Sequence, residues 1–407
     1  MTTPRHRPTA LFVADADSSL KWAVTRLLEA RDRWDCEILV VESAVTPSAA
    51  QVDAAVAGRV DPPARIGLTE LARRVGPDAA DAPDVLVLAC RGDLIALLLE
   101  DELRGTCRAG VIVAGIPGVW LPPTELGLTL RRGVDLMVVH SHVERDAVER
   151  ELPRGDLRAT GLASLAIEGA DAPSDGARSV VFAPQALVPA SRADRARLLA
   201  ALVDLARARP DLTVVIKVRG TPGEAQTHRD DLPYEALLAE VADVPVNLTV
   251  ATGPMADHLP GAIGFVTVSS TAALEAVAAG VPTLCLADFG VGEETLTTAF
   301  LGSGLLGSLD DLRAGGFKRP DPEWMARGYL HPGADDDWIE RVEELGTSRH
   351  RRESGTRSRA SLAVRLRRRR VALGPADPTP LRHASTAIDA WRRARRGLPP
   401  AGAGREG

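Results

Sequence analysis

The sequence predicts an α/β protein made of two Rossmann-like αβα domains facing a cleft, followed by C-terminal helices and a basic tail. Short apolar runs alternate with helical patterns along most of the chain, the pattern of parallel sheets covered by helices. A small, acidic, Pro- and Gly-bearing stretch, Glu168 to Ala177 (EGADAPSDGA), separates two such series and reads as a linker. The 407 residues suit two domains of ordinary size, and 45% hydrophobic with 26% charged residues is a soluble globular composition.

In the first series the strands are expected at Ala10–Ala14, Glu37–Val41, Asp84–Ala89, Gly110–Ala114, Leu136–His140 and Leu157–Thr160. In the second they are expected at Ser179–Phe182, Leu212–Ile216, Val246–Val250, Gly264–Val268 and Thr283–Leu286, with a long helix over Arg192–Ala208. These runs divide the chain into a first domain (1–167), a linker (168–178), a second domain (179–345) and a tail (346–407). Near the end, Ser385 is placed to cap a helix, Ile388 and Trp391 share its face, and Gly397 stops it.

Composition excludes several classes. The four cysteines, Cys36, Cys90, Cys107 and Cys285, lack CxxC spacing, so neither a zinc site nor a disulfide framework is expected. No metal and no cofactor is called for. The N-terminal apolar run is too short for a signal peptide and no run of about 18 apolar residues occurs, so a cytoplasmic protein is expected. Residues 346–407 hold 16 Arg against 4 acids, a balance of +12 on a chain whose net charge is −6. Such a tail either folds back on the acidic body or is drawn to an anionic membrane or polyanionic acceptor at the inner membrane face. Nucleic acid is not expected, because stacking aromatics are nearly absent from the tail.

In open parallel sheets ligands bind beyond the carboxyl ends of the strands. The richest such place is FVTVSSTAALEAVAAGVPTLCLA, where Ser269, Ser270 and Thr271 join a strand to a short apolar helix containing one acid, Glu275. A carboxylate among Ala and Leu costs several kcal/mol, on the order expected for a buried ion, unless it is paired. A capping box does not account for it, because the residue three positions earlier is Ala272. The arrangement suits a phosphate at the hydroxyls and a ribose or sugar hydroxyl on Glu275; plain N-capping accounts for the hydroxyls equally well. Lys217 and Arg219, two apart in VVIKVRG, point to one face at a strand mouth and suit a diphosphate, although a surface pair fits the same spacing. The chain has only three lysines, which favours a functional Lys217. His228, in the loop GTPGEAQTH, is a further candidate for donor contact.

In the first domain the strand ends carry Asp15-Ala16-Asp17-Ser18, Cys90-Arg91-Gly92-Asp93 and His140-Ser141-His142. Asp17 or Ser18 is expected to cap the following helix, leaving an acid over as a general base. Asp93, His140 and His142 are acid/base candidates as well. No G-x-G-x-x-G fingerprint follows the first strand, which argues against a dinucleotide there.

VSSTAALEAVAAGVPTLCL resembles the donor-nucleotide motif of GT-B glycosyltransferases. Together with VVIKVRG, GEAQTH and DADSSLKW it resembles an actinobacterial family of predicted glycosyltransferases over residues 8–345. More distantly the chain is similar to capsule Kdo transferases, polysialyltransferases and CDP-glycerol glycerophosphotransferases. The resemblance implies that Ser269, Ser270 and Thr271 hold donor phosphate and that Glu275 contacts the ribose or sugar. Two departures stand out: Arg219-Gly220 replaces the His-Pro that follows the strand lysine in the capsule enzymes, and Thr267 stands where many retaining enzymes place a second glutamate. The second points toward inversion.

The expected activity is metal-independent transfer of a sugar from a nucleotide donor to a cell-surface polysaccharide or lipid-linked acceptor. Asp17 is the first choice of base, with Asp93 and His140 as alternates. The rival readings are a nucleotide-sugar epimerase, a glycerophosphotransferase, and a nucleotide-sugar-binding protein without turnover.

Overall fold

A computed structural model describes residues 7–151, 159–165, 167, 178–218, 232–347, 361–378, 380–383 and 386–387. The expected linker and the helix around Ile388 and Trp391 lie outside the described residues. Seven strands form the first sheet: β1 (Thr9–Ala14), β2 (Asp35–Val41), β3 (Ala64–Ile66), β4 (Val85–Ala89), β5 (Val111–Gly115), β6 (Leu136–Val139) and β7 (Ala159–Leu162). Six form the second: β8 (Ser179–Phe182), β9 (Thr213–Lys217), β10 (Leu248–Ala251), β11 (Ala262–Thr267), β12 (Thr283–Leu286) and β13 (Leu306–Gly307).

The helices of the first half are α1 (Asp17–Ala30), α2 (Ala49–Val56), α3 (Leu68–Val75), α4 (Gly92–Ala96), α5 (Glu125–Thr129) and α6 (His142–Glu151). A π-helical turn, Leu97–Glu102, continues α4. The second half holds α7 (Arg192–Ala208), α8 (Tyr234–Leu238), α9 (Ala272–Ala278), α10 (Leu309–Arg313) and α11 (Pro322–Arg327). Two further helices, α12 (Trp338–Thr347) and α13 (Leu362–Leu373), follow. Among the described residues no helix is long and apolar enough to cross a membrane.

The first sheet runs β3-β2-β1-β4-β5-β6-β7 and the second β10-β9-β8-β11-β12-β13, and every pairing between these strands is parallel. Both are doubly wound, with the strand order reversing between β1 and β4 and again between β8 and β11. Those two points are where an open α/β sheet leaves a crevice for a ligand. The central strands read as continuous buried runs, Val85 to Ala89 for instance, because helices cover both faces. Two strands were not anticipated, β3 and β13.

Two late segments of the chain pack on the first domain. After α11 the chain returns to the first domain, where α12 packs on β5, β6 and β7. Trp338 meets Trp34 edge to face at 5.5 Å, and its indole N–H donates to Glu29 at 2.9 Å. The stretch read as the end of the second domain therefore belongs to the first domain's core from Trp338 onward. The tail then docks α13 against α4 and the π turn. Arg368 reaches Glu100 and Asp101, while Arg369 reaches Glu102 and Asp377. Ala372 and Leu373 enter the core.

One close approach tests the packing of α1 on the sheet. A Cβ on Gly115, the last residue of β5, would lie 2.7 Å from Cη2 of Trp22. Gly115→Ala is expected to destabilise the fold by about 1–3 kcal/mol through overpacking. An unchanged denaturation midpoint would show that Trp22 can move aside.

Candidate functional site

In the second domain the switch point lies at the turn that follows β11. Thr267 ends the strand and its hydroxyl donates to the Ala183 carbonyl beyond β8 at 2.8 Å, tying the two sides of the crevice. The same oxygen accepts from the Ser270 amide at 3.1 Å, and Ser270 Oγ accepts from Ala272 at 3.3 Å. Capping thus accounts for Ser270 alone. Thr271, at the cap position of α9, has helical φ and ψ, makes no side-chain cap and is exposed. Ser269 Oγ is buried with no hydrogen-bond partner among the described residues, an unusual state for a hydroxyl. Glu275, half-buried, lies in the first turn of α9.

Lys217 is the last residue of β9 and is half-buried. Ile216, Phe182 and Val266 form one rung across β9, β8 and β11, so Lys217 and Thr267 both stand one residue beyond it. With strands about 4.8 Å apart, that places their Cα atoms roughly 10 Å from each other on one edge of the sheet. Arg219 and His228 lie outside the described residues.

The first domain's switch point collects Asp15, Asp17, Arg91 and Asp93. Asp15, which the sequence did not single out, is fully buried and takes Arg91 Nε at 2.9 Å and the Arg91 amide at 3.1 Å. Burial raises the Asp15 pKa above its ordinary value, against the lowering effect of Arg91. The other end of Arg91 donates to the carbonyls of Val371 and Ala372, and the Ala44 amide also donates to Ala372. The last turn of α13 therefore lies over the carboxyl ends of β1, β2 and β4.

Neither Asp17 nor Ser18 caps α1, contrary to expectation: the cap position is Ala16, with no side-chain hydrogen bond. Asp17 Oδ2 pairs with Lys21 at 3.2 Å, and its Oδ1 is buried without a partner among the described residues. Asp93 sits half-buried in the first turn of α4. Close to it is Arg131, which the sequence reading missed. Its guanidinium lies 5.9 Å from the Trp120 ring centre and donates to the Gly127 carbonyl at 3.0 Å. Burial pushes its pKa down to about 10, while nearby acids including Asp15 and Asp93 pull the other way.

His140 proves to be a structural residue. It accepts from the Trp22 indole N–H at Nε2 (2.8 Å) and faces the Ala163 carbonyl at Nδ1 (2.8 Å). An indole only donates and a carbonyl only accepts, so the ring is neutral with its proton on Nδ1. Burial lowers its pKa to about 3. Both nitrogens are engaged, which removes it from the candidates for the base. His142 instead pairs with Asp335 at 2.9 Å, on the segment returning from the second domain.

Glu144 is the other acid the sequence did not single out. It is fully buried and accepts from the amides of Trp120 (2.8 Å) and His140 (2.5 Å) and from the Tyr329 hydroxyl (3.3 Å). Burial raises its pKa to about 8, against the lowering effect of those donors. Tyr329 packs in the second domain's core, so this carboxyl sits at the junction of the domains.

Solved structures share this two-domain GT-B arrangement. A UDP-N-acetylglucosamine 2-epimerase is 14% identical, with a TM-score of 0.55 over 85% of this chain and 98% of the other. The Neisseria meningitidis UDP-GlcNAc 2-epimerase, bound to UDP-GlcNAc, is 11% identical, with a TM-score of 0.55 over 84% of this chain and all of that one. The S. aureus protein MnaA, solved with UDP, is 11% identical, with a TM-score of 0.52 over 98% and 100%. No curated protein matches by sequence. A family described as "Putative glycosyltransferase (DUF6716)" matches residues 10–345, and the chain belongs to that family.

Proposed function

We propose that this protein transfers a sugar from a nucleotide-activated donor to a cell-surface polysaccharide or lipid-linked acceptor. The observation that carries the reading is the turn Ser269–Thr271 at the second domain's switch point, where one buried hydroxyl has no partner among the described residues and another is exposed. Ser269, Ser270 and Thr271 would hold the donor phosphates, and Glu275 a ribose or sugar hydroxyl. Lys217, joined by Arg219 and His228 from the adjoining loop, would neutralise the diphosphate as it leaves.

In the chemical step the acceptor oxygen attacks the anomeric carbon as the bond from that carbon to the phosphate oxygen breaks. The bonding pair leaves with the nucleotide. The acceptor proton passes to a base of the first domain, Asp17 by preference and Asp93 next. Asp17 is favoured because its buried Oδ1 has no partner among the described residues. A single displacement of this kind inverts the anomeric centre.

Glu275→Ala is expected to weaken donor binding roughly 10- to 100-fold, as for loss of one or two hydrogen bonds to a charged group, with a smaller change in kcat. A thermal-shift screen of UDP-, GDP-, CDP- and CMP-linked sugars should first identify the donor, since saturation at about 100 Kd stabilises by roughly 2.7 kcal/mol. If none of these ligands stabilises the protein, or if Glu275→Ala binds the identified donor as the parent does, the reading fails. A second reading, a nucleotide-sugar epimerase, draws support from the fold shared with UDP-GlcNAc 2-epimerases. Incubation with donor alone separates them: an epimerase yields an isomeric nucleotide sugar without any acceptor.

A further inference from the structure

We propose that the outward face of α13 is a docking surface for an anionic lipid bilayer, placed beside the first domain's crevice. The helix has two unlike sides. Inward, Arg365, Arg368 and Arg369 are committed to ion pairs with Glu100, Asp101, Glu102 and Asp377, and Ala372 and Leu373 are buried. Outward, Val364 (47% exposed), Arg367 and Val371 (43% exposed) recur at the i, i+3, i+7 spacing that lines up one helical stripe, and Arg370 is exposed beside them.

Apart from the stripe, further apolar side chains are exposed at both ends of the helix. Leu362 at the start of the helix is 63% exposed, and Leu381 beyond its end is 42% exposed. Val45, next to the Ala44 that bonds the helix's last turn, is 42% exposed. Apolar side chains interleaved with arginines match the boundary between acyl chains and anionic headgroups, where each basic residue contributes about 1 kcal/mol. A soluble polyanion would attract the arginines and leave the valines and leucines in water. The excess of 16 Arg over 4 acids across residues 346–407 supplies the long-range attraction.

Arg91 adds the location. Because it holds the carbonyls of Val371 and Ala372 while pairing with Asp15 at the end of β1, the proposed lipid-facing helix abuts the crevice. An acceptor embedded in the membrane would then reach the first domain without leaving the surface. This surface is independent of the donor reading, and lipid binding can be measured with no nucleotide present.

The test is sedimentation of the full chain with phosphatidylcholine vesicles, with and without phosphatidylglycerol. Binding is expected only to the anionic vesicles and should fall as salt rises. Arg367→Glu should weaken it at least about fivefold, the equivalent of roughly 1 kcal/mol for a charge at the surface. The paired variant Val364→Ser with Val371→Ser should weaken it to a similar degree while leaving the melting temperature unchanged. Equal binding to neutral vesicles, or undiminished binding by either variant, would overturn the proposal. Loss with Arg367→Glu but not with the serine pair would point to a soluble polyanion and equally overturn it.

Discussion

Arg91→Ala is expected to destabilise the protein by about 3 kcal/mol or more, because it strands a buried carboxylate. Asp15 is fully enclosed, and after the change only the amide of residue 91 would remain to it of the Arg91 contacts. The carboxyl can escape part of the penalty by taking up a proton, and this gives the loss a direction in pH. Asp15 is already raised by burial, and without the guanidinium it would rise further. A raised carboxylate contributes stability at low pH that disappears as pH climbs through the folded value. The variant should therefore fall further below the parent at pH 8 than at pH 5. It should also lose two hydrogen bonds to the last turn of α13, so amide exchange across Leu362–Leu373 should quicken. Parent-like melting at both pH values, with α13 still protected, would show that the pair is dispensable.

The junction of the domains predicts a second pH effect. His140 and Glu144 lie in one turn, linked by the His140 amide, and both are held neutral by burial. His140 drops from 6.5 to about 3, so stability is lost as pH falls below 6.5, where only the unfolded chain takes up the proton. Glu144 rises from 4.5 to about 8, so stability is lost as pH rises from 4.5 to 8, where only the unfolded chain has released its proton.

Between 4.5 and 6.5 the two slopes oppose and cancel. From 6.5 to 8 only Glu144 of the two acts, and it should cost the parent up to about 1.4 kcal/mol per pH unit. Glu144→Gln should be less stable near pH 6, since its amide NH2 would face one of two backbone donors, at a cost of roughly 1–3 kcal/mol. It should nevertheless lose less between pH 6.5 and 8. Comparing slopes removes the contributions of Asp15 and Glu29, which burial also raises. Denaturant midpoints at three pH values decide the matter, and parallel curves for the two proteins would refute it.

How much of this was legible in the sequence depends on how far apart the interacting residues lie. Runs such as Val85–Ala89 announce buried strands because each residue answers to the same environment. Arg192–Ala208 announces a helix for similarly local reasons, and Ser191 caps it by accepting from the Asp194 amide. The placement of Ser269–Thr271 between a strand and a short helix carrying Glu275 was also visible, since those residues are contiguous. β13 has two residues and carries no periodicity, and β3 is mostly exposed with an arginine at its centre, so neither resembles a core strand.

The role of His140 was invisible for a different reason. Its indole partner is 118 residues away, and a histidine at a strand end looks the same whether it shuttles protons or anchors a helix. Glu144 was missed because it lies just past the strand-end motif, in a segment that reads as polar helix, and Arg131 because it stands in the turn between α5 and β6, away from any strand end. The docking of α13 depends on acids some 267 residues earlier, although the basic run itself was plain.

The Trp34–Trp338 contact bears on how the molecule is made. Nascent chains leave the ribosome from the N-terminus, and domains usually complete themselves in that order. Here the first domain's core awaits α12, so its last layer is synthesised only after the whole second sheet. Until then the surface of β5–β7 that α12 covers is bare apolar strand, which is prone to association with other chains. The second domain, whose strands span residues 179–307, has its buried clusters closed by Leu330 among the described residues, before α12 begins. During biosynthesis it should be the first half to become resistant to protease, with the N-terminal half following it.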